Sequence, residues 1–219
     1  MISVIMPAYK AVKYIDESIN SLQGAEILVG VDSCQETLDH LKDKFNIRLF
    51  YFPKNVGPYI IKNTLIDKAS CDNILFFDAD DVLAEGALYK IEEHLESTDY
   101  VKLNYINFYE KILKQGRKIS DAVIAIKRDV FNQLNGFYPW VCGADTEFHH
   151  RLEYNKLKHK IFSDVAYYRR LHGDNLTMRE STKHGSPIRN KYVAEIARKQ
   201  KDGHWPSPEN KQTSLYVPY

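Results

Sequence analysis

Short apolar runs alternate with amphipathic stretches along the first eighty or so residues of the chain. Residues 2–6 form a β-branched-rich run halted by Pro7, after which Val12, Ile15, Ile19 and Leu22 recur at helical spacing. Residues 25–31 repeat the strand pattern and end in Asp32; a polar, helix-compatible stretch then reaches Phe45, and residues 47–52 supply a third strand. Asn55, Gly57 and Pro58 mark a loop, and Ile60, Ile61, Leu65 and Ile66 predict a helix over 59–69. Residues 73–77 form a fourth apolar strand that runs directly into Asp78, Ala79, Asp80 and Asp81. This alternation predicts an α/β fold: a Rossmann-like, mostly parallel sheet flanked by helices, with ligands at the carboxyl ends of its strands. Asp32 and the Asp78–Asp81 cluster both fall at such ends.

The second half reads as a helix over 84–95 and strands over 100–107 and 119–126 around a loop at Gln115 and Gly116. A short helix over 128–134 is closed by Asn135 and Gly136. The segment GFYPWVCGADTEFHHRL leads into a helix over 145–152, and a last strand spans 161–168. The polar stretch HGDNLTMRESTKHGSP reads as a mobile loop, followed by a basic helix over 188–201 and an irregular tail after Gly203. One domain is expected over 1–180, with a helical and irregular extension over 181–219.

Composition narrows the class. At 219 residues, 44% hydrophobic and 27% charged, the chain has the balance of a folded globular protein. A net charge of +1 gives no global field toward nucleic acid or an anionic membrane. Cys34, Cys71 and Cys142 are odd in number and widely spaced, which fits neither a disulfide framework nor a zinc site and favours a reducing compartment. The first residues lack the pattern of a signal peptide and no segment has the length of a membrane span, so the expected location is cytoplasmic.

Three carboxylates within four residues after a buried strand repel one another unless solvated or neutralised. A divalent cation neutralises them, and Mg²⁺ or Mn²⁺ also bridges protein carboxylates to substrate phosphates. Helix capping by the same aspartates is the alternative.

Taken in order, SVIMPAYKAVKYIDESINSL, VGVDS, NVGPYIIKN, ILFFDADD, GADTEFHHRL and YYRRLH resemble the motif set of family 2 glycosyltransferases with the GT-A fold, over roughly residues 1–175. The resemblance implies an inverting transfer of a sugar, of hexosyl type, from a nucleoside diphosphate, with UDP favoured, and a Mn²⁺ or Mg²⁺ cofactor. Residues 1–100 then form the nucleotide-sugar half and 101–180 the acceptor and catalytic half. Pro7, Ala8 and Tyr9 match the loop beside the nucleotide base, and Asp32 matches the acid that bonds the base edge. Asn55, Gly57, Lys62 and Asn63 match the loop and helix beside the nucleotide, with Lys62 standing where arginine is common. Asp78, Ala79 and Asp80 match the DXD motif, with Asp80 as the metal ligand. His172 matches a histidine at the metal or diphosphate, and Arg169 and Arg170 supply charge for phosphate oxygens.

Asp145 matches the general base that takes the proton of the acceptor hydroxyl. Many relatives carry an acid immediately before it, where this chain has Ala144. Glu147 is expected to bind the acceptor or share the catalytic role, and Tyr138 and Trp140 to form a platform for a sugar ring. A saccharide is the default acceptor; lipid-linked saccharide, protein and a hydroxylated nucleic-acid base are alternatives. Two competing classes are a nucleotidyltransferase, disfavoured because MPAYKAVKY contains no glycine, and a nucleic-acid-binding module using Lys183, Arg189, Lys191, Arg198, Lys199 and Lys201.

Overall fold

The computed structural model describes residues 1–44, 46–110 and 112–219. Strands β1 (Ile2–Ala8), β2 (Glu26–Asp32), β3 (Arg48–Phe52) and β4 (Asn73–Phe76) alternate with helices α1 (Ile15–Asn20), α2 (Gln35–Leu41) and α3 (Pro58–Leu65), the last continued by a 3₁₀ turn over Ile66–Lys68. β3, β2, β1 and β4 lie side by side, all parallel. The helix expected to run to Phe45 ends at Leu41, and Phe45 itself lies outside the described residues.

The chain continues through β5 (Val82–Leu83), α4 (Ala87–Ser97), β6 (Tyr100–Tyr109), β7 (Ile112–Lys127), α5 (Arg128–Gln133), α6 (Ala144–Tyr154), β8 (His159–Ile161), β9 (Tyr167–Arg170), α7 (Pro187–Asp202) and β10 (Val217–Pro218). The sheet order is β10-β3-β2-β1-β4-β7-β6-β9-β5, with β8 beside β6. β7 turns the sheet mixed by running antiparallel to both β4 and β6.

The two-residue period of the strands sends apolar side chains to both faces. Val4, Met6, Val29, Val31 and Phe77 join Ile15, Leu38 and Ile91 in one core under α1, α2 and α4. Ile5, Leu28, Phe52 and Phe76 join Ile61, Phe131 and Phe148 in a second core under α3, α5 and α6.

Three expectations are corrected. The loop expected at Gln115 and Gly116 lies inside β7, because the ladder continues to Tyr109↔Ile112, with Glu110 at φ 55 at its end. Gly116, at φ 91, serves a bulge where residues 114–116 stand opposite Asn107, so its backbone freedom bends a strand and ends none. The single last strand divides into β8 and β9, both parallel to β6. The tail also contributes β10, which covers the outer edge of β3 with Tyr216 packed on Phe50 and Phe52. Among the described residues no helix is long and apolar enough to cross a membrane.

Gly30 permits α3 to lie against β2: a Cβ there would stand 2.3 Å from Ile61 Cγ2 and 3.0 Å from Leu65 Cδ1. Gly30→Ala is therefore expected to cost about 1–3 kcal/mol through overpacking. Urea unfolding should show a lower midpoint at unchanged slope; an unmoved midpoint would mean that α3 retreats from the sheet freely.

Candidate active site

The carboxyl ends of β1, β2 and β4 open into a cleft of about 1020 Å³. Pro7, Ala8 and Tyr9 leave β1 into it, and Asp32, Asn55, Gly57 and Lys62 line it from the next two βα units. Asp78, Ala79 and Asp80 follow β4; Asp145, Arg169, Arg170 and His172 enter from the second half of the chain. Residues far apart in sequence thus meet because parallel strands all end on one side.

Asp32 anchors the donor-side loop: its oxygens accept the backbone N–H of Val56 at 2.8 Å and of Gly57 at 3.0 Å. Burial pushes its carboxyl pKa up, and those two amides oppose the shift. Asn63 turns away from the cleft and clamps Phe137 by paired hydrogen bonds of 2.9 Å to its backbone.

Each acid of the cluster has a different partner. Lys62 Nζ, almost fully buried, lies 3.6 Å from Asp78 Oδ1. Asp78 remains open to the cleft, yet desolvation raises its pKa, with Lys62 opposing and Asp80 and Asp145 adding to the rise. Asp81 is buried, accepts the Arg170 N–H at 2.9 Å, and is pushed well up by desolvation and then by Asp80 and Asp78. Asp80 Oδ2 meets His172 Nε2 at 2.7 Å and accepts Asn175 Nδ2 at 2.9 Å.

A carboxylate oxygen beside an imidazole nitrogen is a donor set that suits a hard divalent cation. Among the described residues no three His, Cys, Asp or Glu side chains converge to cage a metal. A cation at Asp80 and His172 would therefore complete its shell with water and substrate phosphate, a mode Mg²⁺ and Mn²⁺ favour.

The two arginines separate in role. Arg170 is mostly buried, donates from Nε to the Asp80 carbonyl at 2.9 Å, pairs with Glu17 and lies over Phe108 at 4.4 Å, so it braces the acidic turn. Arg169 reaches Thr177 Oγ1 at 3.1 Å and lines the cleft.

Asp145 sits in the first turn of α6, where its Oδ1 accepts the Tyr59 hydroxyl at 2.9 Å and the Thr146 N–H at 3.0 Å. Thr146 Oγ1 in turn donates to Asp121 at 2.9 Å. Asp121 lies in a second bulge, where pairing jumps from Lys102↔Ile124 to Asn104↔Ile119 and leaves residues 120–123 opposite Leu103 alone. Ala144, in place of an acid, is fully buried in the second core, where a carboxylate would be desolvated.

Glu147 is not brought to the cleft. It lies two residues from Asp145 and so on the opposite side of α6. There it is fully buried, accepting from Arg151 Nε at 2.8 Å and Lys199 Nζ at 2.8 Å. Tyr138 and Trp140 likewise pack elsewhere: Lys199 lies 4.0 Å over the Tyr138 ring, and Trp140 stacks on Tyr192 of α7 at 4.6 Å. Within the basic helix, Lys199 is consumed by this network and Arg198 pairs with Glu195 and Asp202, which leaves less charge for phosphate contacts.

Sequence reasoning missed Tyr59, Asp121, Asn175 and Arg179 at the cleft. The stretch read as a mobile loop folds over it, with Asn175 buried and the Arg179 guanidinium 5.4 Å from the Tyr9 ring. Tyr59 alone carried a signal, its place within NVGPYIIKN; the others depend on bulges and turns without periodicity.

A parallel βα half, a mixed second half and an acid cluster at strand ends define a GT-A architecture. The chain belongs to glycosyl transferase family 2, whose model matches residues 3–196. Over 113 residues, 45% of this chain, it is 33% identical to 45% of an uncharacterized glycosyltransferase of Haemophilus influenzae. Over 121 residues, 48% of this chain, it is 28% identical to 21% of the poly(ribitol-phosphate) beta-N-acetylglucosaminyltransferase TarS of Staphylococcus aureus. The chain spans less than half the length of these curated relatives. TarS 1–349 in complex with UDP-GlcNAc superposes with a TM-score of 0.72 and 18% identity, covering 96% of this chain and 68% of that one. Mannosyltransferase PcManGT from Pyrobaculum calidifontis, in complex with GDP-Man and Mn²⁺, gives 0.67 and 17%, covering 94% and 65%. At these identities the structural likeness speaks to fold.

Removing the charge of Glu147 strands two buried cations. Glu147→Gln should lower stability by about 3–5 kcal/mol, measured by denaturant unfolding, while diphosphate binding to the folded fraction stays native. Native stability with lost transfer would return Glu147 to the chemistry.

Proposed function

We propose that this chain is an inverting glycosyltransferase that moves a sugar from a nucleoside diphosphate, UDP in the first instance, to an acceptor hydroxyl. The carrying observation is that the Asp80–His172 pair and Asp145 face a single cleft at the ends of the parallel strands. The relatives support it: their names are those of glycosyltransferases, and the two structural neighbours hold UDP-GlcNAc and GDP-Man with Mn²⁺. A saccharide is the acceptor this reading favours, and residues 1–100 hold the donor while 101–180 build the acceptor side.

Asp80 and His172 would hold a divalent cation, Mn²⁺ or Mg²⁺, which when bound would offset the charge that builds on the departing diphosphate. Tyr9 offers a ring face to the nucleotide base, and Asp32 keeps a lone pair for a ring N–H. Arg169 adds a positive charge beside the phosphates. Asp145 accepts the proton of the acceptor hydroxyl as its oxygen attacks the anomeric carbon. The bond from that carbon to the diphosphate oxygen breaks on the opposite face, and the electron pair leaves with the diphosphate, inverting the centre.

Calorimetry against UDP, GDP, CDP and TDP, each with Mn²⁺ and with EDTA, should show metal-dependent binding of one diphosphate that Asp80→Asn weakens. Failure of all four under both conditions would sink the transferase reading. Asp145→Asn should bind the same diphosphate normally while transfer falls by roughly 10²–10⁴-fold. Full transfer by that variant would remove Asp145 as the base.

A further inference from the structure

Tyr59 contributes no group to the transfer as described, yet it is among the most enclosed polar side chains of the cleft wall, only 5% exposed. It stands second in α3, and its hydroxyl meets two groups at the start of α6, more than eighty residues away in sequence. It donates to Asp145 Oδ1 at 2.9 Å and accepts the Gly143 N–H at 3.1 Å. Its ring is fixed by Phe137, centroid to centroid 5.4 Å. Both hydrogen-bonding capacities of the hydroxyl are used, so its orientation is determined by the fold.

The bond to Asp145 is asymmetric. Oδ1 carries the Tyr59 hydroxyl and the Thr146 N–H, and among the described residues Oδ2 accepts no hydrogen bond. We propose that Tyr59 is the positioning residue for Asp145: by holding Oδ1 it fixes the carboxylate in one rotamer and presents Oδ2 to the acceptor hydroxyl. This rests on the reading of Asp145 as the base. Desolvation, and after it the Asp145 charge, push the Tyr59 phenol well above its ordinary pKa of 10.0, so the group stays protonated and donating across the working range.

The placement of Tyr59 has a second consequence. Lys62, one turn along α3, pairs with Asp78 at 3.6 Å on the donor side. One rigid helix therefore sets both the acidic floor under the donor and the orientation of the base, registering the two halves of the reaction to each other. The titratable and charged groups around Asp145 are Tyr59 from α3, Asp78 from the turn after β4, Cys142 from the preceding loop, His149 one turn along α6, and Asp121 of β7 through Thr146. Of these, Tyr59 is the side chain that donates a hydrogen bond to the carboxylate.

The test uses the full chain carrying Tyr59→Phe, with Asp145→Asn as the control. A carboxylate that loses a hydrogen bond to its charged form is protonated more readily. The acid limb of the kcat profile should therefore move to higher pH, with kcat down roughly ten- to hundredfold and donor KM unchanged. Placing 3-fluorotyrosine at position 59 keeps the packing and strengthens the donor, so the limb should move to lower pH. A tyrosine with only a structural role would lower the melting temperature and move neither limb nor kcat. If Asp145→Asn is inactive while both Tyr59 variants keep the native limb and kcat, the proposal is wrong and the base assignment survives. If Asp145→Asn transfers normally, the base assignment falls and the proposal with it. Should Tyr59→Phe fail to fold, the 3-fluorotyrosine limb decides alone: an unmoved limb overturns the proposal.

Discussion

Mutual repulsion of carboxylates at the ends of parallel strands is the constraint on which this structure turns. Asp78, Asp80 and Asp81 fall within one turn of chain after β4, and Asp145 is close enough to Asp78 to raise its pKa. Such a group holds together only if each acid has its own counterpart. Lys62 lies beside Asp78, the Arg170 backbone holds Asp81, His172 and Asn175 hold Asp80, and Tyr59 holds Asp145. These partners come from α3, β9 and the segment after it, so the site is assembled only when the two halves of the sheet have packed.

The second half of the chain pays for that assembly in irregular strands. Uninterrupted pairing of β6 with β7 would have kept Asp121 within the ladder. The jump at residues 120–123 releases it toward Thr146 and the start of α6. Behind α6, the Glu147, Arg151 and Lys199 network replaces apolar packing with buried charge. That choice is costly unless every member is satisfied, and here Arg151 is satisfied by Glu147 and by the carbonyls of Leu134 and Gly136 at 2.6 and 2.7 Å. α7 is thereby fixed to the back of the helix whose front carries Asp145.

The extension beyond α7 follows the same logic of closing exposed features. Its residues return along the outside of α3, with Ser214 donating to Thr64 Oγ1 at 3.1 Å, before pairing with β3. A strand edge that would otherwise be open to another chain is covered.

The sequence by itself determined the parallel half of the sheet, because period-2 and period-3.6 apolar patterns are local and each strand is buried on both faces. It likewise placed Asp32 and the Asp78–Asp81 cluster where apolar runs stop and Asp145 in the first turn of a helix, where the dipole favours an acid. Only tertiary structure decided what each acid touches. Asp145 and Glu147 look equivalent as two acids opening a helix; their spacing of two sends one to the cleft and the other to a buried ion network whose partner, Lys199, lies 52 residues away. The positions of Tyr138 and Trp140 against α7, and of Asn175 against Asp80, have the same origin. Their roles are set by contacts between segments remote in the chain, and no local periodicity encodes those.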